Sequence, residues 1–182
     1  MEFGLAWGNV RLGLRVVAAF AVVYFVLTVA FDFVPYVLAG SPPALDYPFT
    51  VTNVVGGMAF EMFLVGVAEE IMFRGLILGV LARAIHGSVR LGVGRAAFTV
   101  SVAGVVTAIM FAAAHTITYE RAFFLPFGFH PNWAQVGLAF GLGIYYAALR
   151  ERTGSLLGSI VSHNISDALY MGMTFLAVAV TS

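Results

Sequence analysis

Five apolar segments dominate the chain, at about 12–39, 51–85, 97–115, 133–150 and 155–180, with only short polar stretches between them. Each is close to or above the ~20 residues that an α-helix needs to cross a ~30 Å hydrocarbon core. Within a bilayer every backbone N–H and C=O must find a partner inside the protein, so runs of this length cross as helices. Composition agrees: 61% of residues are hydrophobic and 10% charged, against roughly 45–50% and ~25% in soluble domains. The expected fold is all-α, a polytopic transmembrane helical bundle of about five or six spans. It forms one integral membrane domain over residues 1–182.

Polar punctuation sets the boundaries. Pro42-Pro43 and Asp46 part the first two segments, and Gly87, Arg90, Gly92, Gly94 and Arg95 form the next turn. A longer loop runs from Tyr119-Glu120-Arg121 to His130-Pro131-Asn132, and Arg150-Glu151-Arg152 with Gly154 make a short turn. The first run is far longer than a ~7–15-residue signal-peptide core, so it reads as a retained helix despite the small residues at 37–41. The second segment would extend ~52 Å as continuous helix. It must tilt, kink near Gly56-Gly57 or Gly66, or split in two, which is the source of a sixth span. Gly75-x-x-x-Gly79 and Gly137-x-x-x-Gly141 permit close helix contact.

All nine basic residues are Arg. With five spans, Arg11, Arg15, Arg83, Arg90, Arg95, Arg150 and Arg152 share one side and Arg121 lies opposite, which places the N-terminus in the cytoplasm of a multi-pass cell-membrane protein. A net charge of zero gives no reason to expect a nucleic-acid partner. The lipid bilayer is the expected environment. There is no cysteine, which removes disulfides, thiolate ligands and cysteine nucleophiles together.

Against this background the polar residues stand out. Glu69-Glu70 lies inside the second apolar segment, with Arg74 one turn on. Such groups cost at least ~2.5–3.5 kcal/mol each in hydrocarbon and normally face a protein interior or wet cavity. Glu70 and Arg74, four apart, can pair on one helix face. Glu69 is rotated by about 100° and stays available. A buried ion pair explains one glutamate, whereas a second needs a metal, a proton or a task. Phe111-Ala-Ala-Ala-His115 ends the third segment, Phe111 one turn below His115 as a buttress; alone, a histidine at a span end is commonly interfacial. His163 and Asp167 share a face of the last segment, so Asp167 can fix the His163 tautomer, bind substrate, or simply bridge helices. Counted from Arg83, Arg95 and Arg152, Glu69, His115 and His163 lie about 21, 30 and 16 Å deep, a spread that tilt can absorb. Glu61 is two turns before Glu69 and can line the same cavity, but its face is offset by roughly 80°. It stays uncommitted, as does His130, and His86 reads as interfacial.

With no cysteine and no serine dyad, water is the expected nucleophile. Glu69 can act as general base, with His115 as a second base or metal ligand. His163 can stabilise a developing oxyanion, or His163 and Asp167 can bind a metal. Glu69, His115 and His163 also satisfy a catalytic site for a divalent metal, zinc first. Both routes hydrolyse an amide bond.

These residues resemble a known family. Glu69-Glu70-Ile71-Met72-Phe73-Arg74 followed by Gly75, Phe111-x-x-x-His115 and His163-x-x-x-Asp167 are similar, in order and spacing, to the motifs of the CPBP intramembrane proteases. These are also called the Abi or type II CAAX prenyl endopeptidase family. The Phe140–Gly143 region falls where that family has a glycine-containing helix, so the resemblance covers about residues 50–180. It implies a helical membrane bundle and an endopeptidase acting within the bilayer on a peptide or membrane-protein substrate. It implies Glu69 as the water-activating carboxylate with His115, His163 and Asp167 in oxyanion or metal support, and Arg74 holding Glu70. The alternatives are a non-catalytic membrane immunity or scaffold protein of the same fold, and a small proton or ion transporter.

Overall fold

The computed structural model describes residues 3–94, 97–119, 127–129 and 132–182. Arg95, Glu120, Arg121, His130 and Pro131, which entered the charge and loop assignments above, lie outside them. The described chain is mostly helical. Helix α1 is Val10–Ala39. Helical conformation then runs through 51–84 (α2) as Val51–Phe60, a π-helical turn Glu61–Val65, Gly66–Glu70, a second π-helical turn Ile71–Ile77, and Leu78–Ala84. Helices α3 (Val102–Ala114), α4 (Trp133–Thr153) and α5 (Leu157–Thr181) complete the set. All five apolar segments are thus helical, within a few residues of the expected bounds.

Two departures from an all-α fold are small antiparallel pairs. Strand β1 (Ser88–Leu91) pairs with β2 (Phe98–Ser101), and β3 (Ile117–Tyr119) with β4 (Phe127–Phe129). Residues 98–101 had been counted in the third helix. Val89 and Leu91 stand opposite Val100 and Phe98, an apolar alternation too short to stand out from the helical run that follows it. The described residues bear on the expected five or six spans only in part. Two helices, α1 and α5, are long and apolar enough to cross a bilayer. Helix α3 has only 13 residues, about 20 Å. Segment 51–84 carries Glu61, Glu69, Glu70, Arg74 and Arg83, and α4 ends in Arg150-Glu151-Arg152.

The chain divides into two compact units, each taken by itself: residues 11–70 with 160–182, and 1–10 with 71–159. It leaves the first after Glu70 and returns to it after Ser159.

In the first unit α1 buries one stripe, Gly13, Val17, Tyr24 and Thr28. It leaves Leu14, Val22, Val23, Phe25, Val26, Leu27 and Phe31 exposed, an apolar surface suited to lipid rather than water. Its π-helical turn, Val29–Phe33, precedes Pro35. Proline has no N–H and its ring clashes with the carbonyl four residues back, so the hydrogen-bond pattern shifts there. Thr50 caps 51–70, its hydroxyl accepting from the Asn53 N–H at 3.3 Å. That helical stretch lies antiparallel to α5. Gly57 meets Met171, Gly172 meets Met58, and Gly66 meets Asn164, where an added Cβ would collide with the Asn164 side chain. Small residues allow this close approach. Tyr47 and Phe49 close the far end on Phe175.

In the second unit, Leu78, Val100, Ala103, Ala147 and Ala148 form one core cluster, and Phe73, Phe111, Ala112 and Ala139 another. Ser101 caps α3: its hydroxyl accepts from the Gly104 N–H at 2.8 Å. The Glu151 carboxylate accepts from the Ser101 N–H at 3.0 Å and from its hydroxyl, tying α4 to that cap. Gly154, left-handed at φ 71°, ends α4 as glycine readily does. Among the described residues, an added Cβ at Gly137 or Gly141 meets nothing within 4 Å. Gly143 is a close-approach position. A Cβ there would lie 3.0 Å from Ala108 Cβ and 3.3 Å from Arg74 Nη2. Gly143→Ala is therefore expected to cost about 1–3 kcal/mol by overpacking, whereas Gly141→Ala gains about 0.5–1 kcal/mol from its lower backbone entropy. Thermal unfolding of the two detergent-solubilised variants checks the pair.

Candidate active site

The antiparallel register of 51–70 against α5 fixes what meets what. Gly66 opposite Asn164 brings the next turn, Glu69-Glu70, alongside His163 and Asp167. The His163 ring sits among three carboxylates. Its Nδ1 is 2.9 Å from Glu70 Oε1; the carboxylate oxygen accepts, so Nδ1–H donates. Its Nε2 lies 3.5 Å from Asp167 Oδ2 and 3.7 Å from Glu69 Oε2. Those are contact distances for charges but too long for good hydrogen bonds. Burial separates the roles. Glu70 is fully buried and His163 nearly so, while the Glu69 and Asp167 side chains keep 32% and 25% exposure.

Asp167 was expected to be able to fix the His163 tautomer. The short hydrogen bond on Nδ1 belongs instead to Glu70. A residue one turn along the same helix comes to the Nε2 edge at 3.5 Å, whereas the facing helix delivers a carboxylate to the other edge.

Glu61 belongs to this cluster too, although its ~80° offset from Glu69 had set it aside. The π-helical turn Glu61–Val65 is the reason. A π turn takes more residues per revolution than an α turn, so each advances the chain by less than ~100°. Five such residues absorb the offset. Glu61 lies within electrostatic range of Glu69 and His163, and of Asp167. Sequence periodicity assumes one helical pitch and misses this. The signal available was an acidic residue inside an apolar run.

Arg74 and His115 lie in the second unit. Arg74 is fully buried, its guanidinium carbon 4.2 Å from the Phe111 ring centroid, 5.1 Å from that of Tyr146 and 5.8 Å from that of Phe73. Three rings give the planar cation face contacts that an ammonium would use less well. Phe111 buttresses His115 as expected, with ring centroids 4.6 Å apart. His115 Nδ1 is 2.8 Å from the Phe111 carbonyl oxygen. A carbonyl only accepts, so the proton is on Nδ1 and the Nε2 lone pair is left to serve as base or ligand. Of the six residues singled out in sequence, Glu69, Glu70, His163 and Asp167 are thus brought together in one unit, and Arg74 and His115 share Phe111 in the other.

A metal set of Glu69, His115 and His163 was the further expectation. Among the described residues, no group of three or more His, Asp or Glu side chains is arranged to hold a metal ion. The Nδ1 atoms of both histidines are engaged by hydrogen bonds.

A family model described as type II CAAX prenyl endopeptidase Rce1-like matches residues 51–169. The match opens at the start of α2 and ends two residues past Asp167, so it takes in Glu69, Glu70, Arg74, His115 and His163. No curated protein and no solved structure gives a significant match.

His163→Leu removes a donor from a fully buried carboxylate. It is expected to cost about 1–3 kcal/mol of stability. Asp46→Asn, on the exposed connection before Thr50, leaves the thermal midpoint in detergent unchanged.

Proposed function

The chain belongs to the type II CAAX prenyl endopeptidase Rce1-like family, and from that membership we propose that it is an intramembrane endopeptidase in which Glu69 activates the hydrolytic water. The observation that carries the assignment is the inequality among the carboxylates around His163. Glu70 is sealed and committed to Nδ1, whereas Glu69 is part-exposed with an oxygen facing Nε2. A general base must reach water, and the part-exposed Glu69 side chain allows this, although Oε2, the oxygen nearest Nε2, is itself buried.

In the proposed reaction Glu69 takes a proton from water as the water oxygen bonds to the scissile carbonyl carbon. The carbonyl π electrons move onto oxygen. His163, protonated on both nitrogens and oriented by Glu70, donates from Nε2 to that oxyanion, a preorganised contact of the kind that contributes most in a dry site. When the tetrahedral intermediate collapses, the C–N bond breaks and the proton held by Glu69 passes to the leaving amine. Asp167, 3.5 Å from Nε2, balances the imidazolium charge. His115, with its accepting Nε2, serves as the second base that its family motif implies. The reaction as written uses these side chains alone. The apolar exposed face of α1 supports a multi-pass protein in the cell membrane. The sidedness of its arginines supports a cytoplasmic N-terminus.

Glu69→Gln is expected to lower cleavage by about 10²–10⁴-fold, the usual worth of a general base, with unchanged insertion into membranes. The check compares new peptide termini, catalogued by mass spectrometry, in cells producing wild-type or variant protein at equal levels. Identical catalogues with a retained cellular effect would overturn the assignment. A second expectation concerns metal. Purified protein dialysed against a chelator keeps its activity, and loss of cleavage restored by added zinc would show that the ligands reorganise around an ion.

A further inference from the structure

One end of the second unit collects exposed cationic and apolar side chains. The N-terminal segment 3–9 lies along the α4–α5 turn. There the Leu156 N–H donates to the Gly4 carbonyl at 2.8 Å and the Asn9 N–H to the Thr153 carbonyl at 2.7 Å. Gly4 and Gly8 are left-handed, and a Cβ on Gly8 would collide with the Thr153 carbonyl, so this backbone seats on the turn only with glycine there. Two arginines flank the segment on aromatic rings. The Arg83 guanidinium carbon is 5.5 Å from the Phe3 ring centroid, and that of Arg152, at the end of α4, is 5.9 Å from that of Phe98, both within cation–π range. Phe98 stands opposite Leu91 in the β1–β2 hairpin, one position from Arg90 opposite Thr99. Contacts therefore link Arg83, segment 3–9, the α4–α5 turn, Arg152 and Arg90.

All three arginines are exposed, and among the described residues none of them pairs with a carboxylate. Glu151, beside Arg152 in sequence, is taken by the Ser101 N–H and hydroxyl. On the same segments Leu5, Trp7 and Val93 stand 78%, 76% and 88% exposed. Side chains that project singly enclose no groove for a folded partner, but they suit a fluid layer that is anionic above and apolar below. A guanidinium stacked on a ring keeps its N–H groups for phosphate, and tryptophan prefers the membrane–water boundary. We propose that this end of the second unit binds anionic phospholipid headgroups. Arg83, Arg90 and Arg152 donate to lipid phosphates, while Leu5, Trp7 and Val93 enter the acyl boundary. The surface shares no residue with the carboxylate–imidazole group, so the inference stands apart from the endopeptidase reading.

The test places full-length protein carrying Trp133→Phe, which leaves Trp7 as the one tryptophan, in vesicles of phosphatidylcholine and phosphatidylglycerol. Quenching of Trp7 emission by acyl-brominated phosphatidylglycerol is compared with quenching by acyl-brominated phosphatidylcholine at equal mole fraction. At low salt a preference for the anionic lipid of about tenfold or more is expected, shrinking as ionic strength rises past ~0.1 M. Arg83→Gln, Arg90→Gln or Arg152→Gln each lowers it by about two- to fivefold, and the three combined abolish it. Arg→Lys at the same three positions keeps most of it, a rescue that a structural role for the guanidinium–ring contacts would not give. Thermal midpoints in neutral detergent verify that the variants are folded. Equal quenching by the two lipids in wild type overturns the inference, as does a preference that survives the three Arg→Gln changes. Displacement of the brominated phosphatidylglycerol by soluble glycerol phosphate overturns it too, since the ligand would then be a free phosphate rather than the lipid surface.

Discussion

The hydrogen bond between Glu70 and His163 is the interaction on which the first unit depends. It joins two antiparallel helical stretches 93 residues apart in sequence, at a point where one partner has no solvent exposure and the other almost none. A fully buried carboxylate is tolerable only with donors in place, so the pair selects one register of the helices. A slip of one residue would swing His163 by about 100° and leave that carboxylate without its ring. The small residues Gly57, Gly66 and Gly172 allow the close approach, but close approach alone does not choose a register. The polar pair does, much as a single buried polar residue fixes register in a coiled coil.

The same bond divides labour among like groups. Four carboxylates in one neighbourhood would be redundant if they were equivalent. Sealing Glu70 against Nδ1 turns it into a fixed support for the ring. Holding Nε2 towards Glu69 and Asp167 leaves those two to deal with whatever enters. The second unit handles its buried charge in another currency. Arg74 is enclosed by Phe73, Phe111 and Tyr146, and Gly143 is kept small beside it. Aromatic faces offset part of the desolvation of a guanidinium without adding further charges. Phe111 serves twice, as one wall for Arg74 and as the buttress of His115, so the ring that holds the cation also holds the histidine.

Much of this was legible in the sequence, and the limits have physical causes. The helices were readable because apolar runs of 13 to 34 residues admit little else. Glu69, Glu70, His163 and Asp167 were readable because ionisable groups inside such runs demand a reason. The choice of Glu70 over Asp167 as the partner on His163 Nδ1 was not readable. It depends on the approach of a second helix, which spacing along one helix cannot report. The hairpin β1–β2 was hidden because its four-residue strands are shorter than one useful period of alternation. Tyr146 as a wall for Arg74 was equally hidden, since nothing in a single sequence pairs residues 72 positions apart. The number of bilayer-crossing helices is a separate matter: an apolar segment and a helix long enough to cross are different claims, and α3 satisfies only the first.

Glu61 is the case in which local geometry, rather than distant contact, defeats periodicity. An α-helical wheel places it on the wrong face, and the wheel is wrong because five residues follow a wider turn. Such turns are uncommon, since they break the regular hydrogen-bond pattern and open the helix axis, and they gather at functional sites because they re-aim side chains. Segment 51–84 holds two of them, one on each side of Glu69-Glu70. Together they decouple the orientation of the glutamate pair from that of the helix before it and after it. A uniform helix would let only every third or fourth residue face α5. With a wide turn on either side, Glu61, Glu69 and Glu70 are aimed independently of ideal spacing. The acidic character of the site is therefore a property of how this helix is wound as much as of which residues it carries.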